Sequence, residues 1–297
     1  MTSSNDKKHL QEESTHSATQ DISNSSEQQT ETNAETNAET NIEDQQTEPL
    51  SDGEMFLDVS EFNIDDDPLG SVTRSKLHFF WLADCSGSMS VQGKIQALNN
   101  AIHDCIPATR EANNTNAFAD MLVRAIKFSN GASWHVETPT AVDDFVWNDL
   151  EAYGRTDLGA AIRLLSLELT PEKMGRRALP PVIVLLSDGT PTDDWEKALE
   201  SFNGTGWGYP GRTVRIAVAI GRDSNKEVLA KFTGNPETVF EANNAQRLTE
   251  LIKWASVTLS KYASSGASQV DAIPGQGTVI PPAPPIPDEL DEDFELW

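Results

Sequence analysis

Three short segments of the chain carry oxygen-bearing side chains at spacings that suit a hard cation. Asp84-Cys85-Ser86-Gly87-Ser88-Met89 sets a carboxylate and two hydroxyls at alternate positions. Gly87 permits the tight turn that lets the three converge on one point. Gly154-Arg155-Thr156-Asp157 offers a further hydroxyl, and Ser187-Asp188-Gly189 a second acid. Mg²⁺ asks for an octahedron of oxygens and keeps several of its waters. Hydroxyls at Ser86, Ser88 and Thr156 with acids at Asp84 and Asp188 meet that demand. Each segment alone is an ordinary polar turn; all three, each at the boundary of a predicted element, make a specific signal.

Catalysis would ask for more, namely a base or nucleophile beside the ion. The spare acids Asp157, Asp193 and Asp194 fall in the first turns of predicted helices, where negative charge is favourable, and read as caps. His9 and His16 lie near the N-terminus, His78 and His135 in predicted strands, and His103 in a predicted helix. None sits in a strand-end loop, and Ser86 lacks the Gly-x-Ser-x-Gly elbow of a serine hydrolase. Cys85 reads as a small space-filling residue rather than a reactive thiol.

The elements that must position these loops alternate along the chain. Apolar runs predict strands over 76–83, 120–128, 133–136, 182–186, 214–220 and 238–241. Asn130-Gly131 between the second and third is a hairpin signal. Helical spacing appears over 94–113, 157–169, 193–202, 225–232 and 245–262, with Pro171 closing the second helix and Thr192 capping the third. Strands buried on both faces, alternating with helices, predict one doubly wound α/β domain over 74–264, its mostly parallel central sheet flanked by helices. Such sheets bind ligands at the carboxyl ends of their strands, where strand order reverses. The glycine-aromatic stretch 203–211 lacks the Lys-Ser/Thr ending of a phosphate loop and reads either as an exposed recognition loop or as a long connection. Trp134, Trp147, Trp195 and Trp254 read as core or rim packing.

DCSGSM, GRTDLGAAI and VIVLLSDGTPTDDW together resemble the metal-ion-dependent adhesion site of von Willebrand factor A domains, over about residues 75–264. The resemblance implies Ser86, Ser88 and Thr156 as direct ligands of Mg²⁺, or of Mn²⁺ or Ca²⁺, with Asp84 and Asp188 holding coordinated waters. Within that family, TPTDDWEKALESF and LIKWASVTLSKYASS are similar to the TerY-like proteins of bacterial tellurium-resistance and stress operons. That likeness implies a signalling complex with a protein kinase and a PP2C-type phosphatase as partners. Uncharged direct ligands leave the ion most of its positive charge, so it seeks a carboxylate from a partner protein. The expectation is therefore Mg²⁺-dependent protein binding with no reaction. The alternatives are a Mg²⁺-dependent phosphohydrolase using Asp84 or Asp188, and a tail-driven scaffold whose metal site is vestigial.

The charge distribution separates this domain from its flanks. The 297 residues hold 47 acids and 22 bases, a formal net charge of −25. Residues 1–73 carry 18 of the acids with only Lys7 and Lys8, and residues 265–297 carry 7 acids and no base. The middle is nearly neutral, which excludes the basic footprint of a nucleic-acid or anionic-membrane binder. The first 50 residues have almost nothing to bury and are expected to be disordered. Within them Glu31-Thr32-Asn33-Ala34 is echoed by the next four residues. Residues 54–70 mix apolar and acidic side chains and read either as a short motif that orders on a partner or as linker. VIPPAPPIP reads as a stiff spacer presenting the acidic-aromatic DELDEDFELW, which reads as a docking peptide. Its carboxylates could also occupy the metal of this or a neighbouring molecule. With no apolar leader, no run of ~20 apolar residues and only two cysteines, the expected location is cytoplasmic.

Overall fold

The computed structural model describes residues 74–175, 178–209, 211–265 and 280–285. The acidic segment 1–73, its 54–70 motif and the peptide from residue 286 onward lie outside the described residues. Everything below belongs to the unit Ile64–Trp297.

Six strands form one sheet in the order β3-β2-β1-β4-β5-β6. They are β1 (Ser75–Asp84), β2 (Ala119–Ser129), β3 (Gly131–Ala141), β4 (Val182–Ser187), β5 (Val214–Ile220) and β6 (Val239–Ala242). Every pairing is parallel except the β2–β3 hairpin. β1 is central because its sequence is apolar on both faces. Alternation along the strand sends Leu77, Phe79, Trp81 and Ala83 into one core cluster and Phe80 and Leu82 into the other. Each large side chain so buried contributes roughly 1.5–3 kcal/mol.

The helices cover the two faces through matching apolar stripes. α1 (Lys94–Asn114) buries Leu98, Ile102, Cys105 and Ile106, and packs with α6 (Ala245–Trp254) over the first cluster. α2 (Leu158–Ser166), α4 (Trp195–Asn203) and α5 (Lys226–Thr233) cover the second. Chain order along the sheet reverses between β1 and β4, since β2 lies on one side of β1 and β4 on the other. The carboxyl ends of those two strands therefore form the crevice where ligands bind in open α/β sheets.

Several local expectations are corrected. β3 is longer than the predicted 133–136 and carries Pro139, which an edge strand tolerates because one side needs no ladder bond. α2 stops at Ser166, and Pro171 opens a further short helix, α3 (Pro171–Met174), capped by the Thr170 side chain. Pro fits a helix's first turn, where its missing N–H costs nothing. The last predicted helix is α6, a π-helical turn over Ala255–Leu259, then α7 (Ser260–Ser264). Thr192 does not cap α4; its hydroxyl donates to Asp157 and accepts the Thr156 N–H.

The stretch around 203–211 is a connection clamped from below. Arg215 on β5 is 6 % exposed and has no carboxylate partner among the described residues. Its guanidinium donates to the Gly208 and Phe232 carbonyls, to Asn203 Oδ1 at 2.7 Å and to Thr213 Oγ1, and lies over the Phe202 ring. Burial pulls its pKa down to about 10, still charged at neutral pH. Five fixed donors match this array; an ammonium with three does not. Arg215→Lys is expected to cost about 1–2 kcal/mol by orphaning buried acceptors. Chemical denaturation of the two proteins measures it.

Residues 280–285 lie against the domain rather than standing clear of it as a spacer. Ile280 and Ala283 pack on the first core cluster, and Arg247 of α6 donates to the carbonyls of Pro284 and Pro285. Among the described residues no helix is long and apolar enough to cross a membrane.

Candidate metal centre

All five predicted site residues stand at the β1–β4 crevice. Asp84 is the last residue of β1, and Ser187 is the last of β4, with Asp188 directly after it. Ser86 and Ser88 belong to the loop that leaves β1, which continues as a 3₁₀ turn over Gly87–Gly93. Gln92 and Gly93 adopt φ of 51° and 71°, turning the chain so that α1 begins at Lys94. Thr156 reaches the crevice from the loop preceding α2. Two backbone bonds tie that loop to the first: Tyr153 N–H donates to Cys85 O at 2.7 Å, and Gly87 N–H to Gly154 O at 3.1 Å.

The polar atoms form one continuous chain. Asp84 accepts the Ser86 N–H on Oδ1 at 2.8 Å and the Ser187 hydroxyl on Oδ2 at 2.6 Å. Ser86 Oγ and Ser88 Oγ are 2.9 Å apart, and Ser88 Oγ donates to Asp188 Oδ1 at 2.7 Å. Lys94 Nζ donates to Asp188 Oδ2 at 3.0 Å and to Asp223 Oδ1 at 3.1 Å. Thr156 lies across Gly189: a Cβ on that glycine would come 3.2 Å from Thr156 Oγ1 and 3.6 Å from Asp84 Oδ2. Asp84, Ser86, Thr156 and Asp188 are buried while Ser88 is exposed, so the cluster opens to solvent at Ser88.

Burial raises the Asp84 carboxyl to about 6, against the Ser187 and Ser86 hydrogen bonds that lower it. Burial likewise pushes the Cys85 thiol up to about 12, leaving it without thiolate reactivity at neutral pH. Cys85 and Cys105 are both free and buried. Of the spare acids, Asp193 and Asp157 hold structure, whereas Asp194 at the start of α4 makes no side-chain cap bond. Asp193 accepts the Gly159 and Ala160 N–H groups at the start of α2, capping a neighbouring helix rather than its own. Asp157 receives the Gly131 N–H and the Thr192 hydroxyl.

Among the described residues no group of three or more His, Cys, Asp or Glu side chains could hold a metal. A cation in this crevice would depend on hydroxyl oxygens. The donor set suits a hard divalent ion: three hydroxyls from two loops, with two carboxylates behind them. Each carboxylate oxygen already accepts one hydrogen bond and keeps a second lone pair for another. Three participants were not foreseen: Ser187, Lys94 and Asp223. A lysine opening a helix, where the dipole opposes positive charge, was the available signal for Lys94. Asp223 follows β5, a third strand end on the same side of the sheet.

The model of the von Willebrand factor type A domain matches residues 81–254, and the chain belongs to that family. Among solved structures, the pilus adhesin SpaC from Lactobacillus rhamnosus GG aligns with a TM-score of 0.51 at 13 % identity, over 65 % of this chain and 31 % of its own. A von Willebrand factor type A protein from Catenulispora acidiphila gives 0.46 at 18 % identity, over 62 % and 42 %. Proximal thread matrix protein 1 from the mussel byssus, with a zinc-occupied MIDAS motif, gives 0.46 at 16 % identity, over 63 % and 48 %. The chain thus spans less than half the length of each. No curated protein matches the sequence.

Proposed function

We propose that this chain is a metal-dependent protein-binding module in which Ser86, Ser88 and Thr156 hold a divalent cation directly. Asp84 and Asp188 stand behind them as acceptors for its waters. The observation that carries this reading is the unbroken Asp84–Ser86–Ser88–Asp188 cluster at the sheet's reversal point, opening to solvent at Ser88. Mg²⁺ is the ion we infer, from an all-oxygen donor set with three neutral members; Mn²⁺ would take the same set.

The chain's residues explain why binding is favoured over turnover. Backbone and hydroxyl donors hold Asp84 in place, and Ser88 and Lys94 hold Asp188. Among the described residues the histidines are engaged elsewhere: His78 is buried in β1, while His103 and His135 bond Asp149 and Asn148 O respectively. A bound cation would supply positive charge at the mouth, and a partner's carboxylate is the anion it would take from a protein surface. The TerY-like motifs suggest the setting: a cytoplasmic stress-response complex including a protein kinase and a PP2C-type phosphatase.

The test is the melting temperature of the full chain in Mg²⁺ and in chelator, beside a Ser86→Ala/Ser88→Ala variant. Binding confined to the folded state stabilises by RT ln(1 + [L]/Kd), about 2.7 kcal/mol at a hundredfold excess over Kd. A concentration-dependent rise that the variant loses is expected. Equal melting of both proteins at every Mg²⁺ and Mn²⁺ concentration would reject the metal centre.

A further inference from the structure

Lys94 is the one cation inside the cluster among the described residues, and the fold builds a dedicated seat for it. Its side chain is 3 % exposed, although it opens α1, where the helix dipole opposes positive charge. Burial works against its charge, and the Asp188 and Asp223 carboxylates more than offset that, holding its pKa above the ordinary lysine value. The ammonium bridges the ends of β4 and β5, with Asp188 fully buried on one side and Asp223 mostly exposed on the other. Gly221 shapes the slot. Its φ of 89° favours glycine, and a Cβ there would come 2.8 Å from Lys94 Nζ, 2.9 Å from Cε and 2.9 Å from Asp223 Oδ1, so the ends of both side chains would have to shift. Ser224 keeps this loop in shape by donating through its hydroxyl to Gly221 O.

Such a seat has a consequence for any cation arriving beside Ser88. Asp188 offers Oδ1 toward Ser88 while Oδ2 is already committed to an ammonium. The buried groups Asp84, Asp188 and Lys94 together carry one negative charge rather than two. A divalent ion therefore meets less attraction than the two carboxylates would provide alone, and the filled centre ends with a net positive charge. We propose that Lys94 sets the metal affinity of this site, keeping it weak in the free protein and biasing the filled centre toward an anionic partner. The inference rests on the metal reading above and adds to it a residue outside the ligand set. Lys94 acts through Asp188 and is a positioning residue.

The experiment titrates Mn²⁺ into the full chain, with free ion read by electron paramagnetic resonance, and compares wild type with Lys94→Met and Gly221→Ala. Lys94→Met removes the charge at similar length. Gly221→Ala keeps the charge and drives the ammonium from its slot. Both are expected to bind Mn²⁺ about tenfold tighter than wild type or more, because a positive charge one carboxylate away has been removed in the first and displaced in the second. Asp223→Asn leaves Lys94 on Asp188 and should not tighten binding. Circular dichroism establishes folding of each variant, and the glycine variant reports even where the methionine variant does not fold. Mn²⁺ affinity unchanged or weakened in the folded variants overturns the role of Lys94 while leaving the metal centre standing. Absence of binding in wild type and variants alike removes the metal centre, and the role of Lys94 with it.

Discussion

Asp188→Ala, melted in chelator, is expected to lose about 3 kcal/mol of stability, because it strands a buried ammonium. Lys94 and Asp188 are 3 % and 0 % exposed, and their contact is 3.0 Å. Removing one member of a buried pair costs more than the pair contributes, since the survivor keeps its desolvation penalty without its partner. Asp223 remains beside Lys94 at 3.1 Å, mostly exposed, which places the loss at the lower end of the usual range. The Ser88 hydroxyl loses its acceptor as well. For a domain of this size the melting temperature should fall by about 6–12 °C. Asp188→Asn keeps the acceptor oxygen and the shape, and should lose roughly half as much. Working in chelator separates this effect from metal binding. If alanine and asparagine cost the same, charge is all that Asp188 contributes; if asparagine costs nothing, charge is not what it contributes.

The second large effect concerns His78, remote from the crevice. It lies in β1 at 3 % exposure, and neither ring nitrogen has a hydrogen-bond partner among the described residues. Burial lowers its pKa to about 4, and the nearby Arg124 and Lys76 charges push the same way. Above pH ~6.5 the ring is neutral in the folded and unfolded chain alike, so it contributes no pH dependence. As pH falls from ~6.5 toward 4, the unfolded chain binds a proton that the folded chain refuses, and stability is lost. Integrated over that window the loss approaches about 3 kcal/mol. His78→Leu should therefore match or exceed wild type at pH 7 and pull ahead by about 2–3 kcal/mol near pH 4.5. Urea denaturation at the two pH values gives the difference directly. Parallel losses in both proteins would show that His78 is protonated without cost, and hence that water or a partner reaches it.

Much of this protein was legible in its sequence because local patterns dictated it. The apolar runs at 76–83, 182–186 and 214–220 could only be strands with both faces covered, and β1, β4 and β5 are buried along nearly their whole length. The stripe at Leu98, Ile102 and Ile106 placed α1 within a residue or two. Asp84, Ser86, Ser88, Thr156 and Asp188 could be picked out because oxygen donors stood at three element boundaries; the parallel β1 and β4 bring two of those to one edge, and the loop after the antiparallel β3 returns the third.

Other features depended on residues far apart in the chain. Thr192 has the composition of a cap, yet its hydroxyl serves Asp157 and Thr156, 35 and 36 residues earlier. Asp193 caps α2, some 33 residues away, because α2 and α4 pack side by side. Arg215 looks like an odd charge in an apolar strand until Asn203, Gly208 and Phe232 surround it. Lys94 reads as a surface residue at a helix start. Only the parallel register of β1, β4 and β5 places Asp188 and Asp223 on either side of it. Periodicity reports which face a residue occupies. The partner of a buried charge is chosen by which strand ends the sheet sets beside one another.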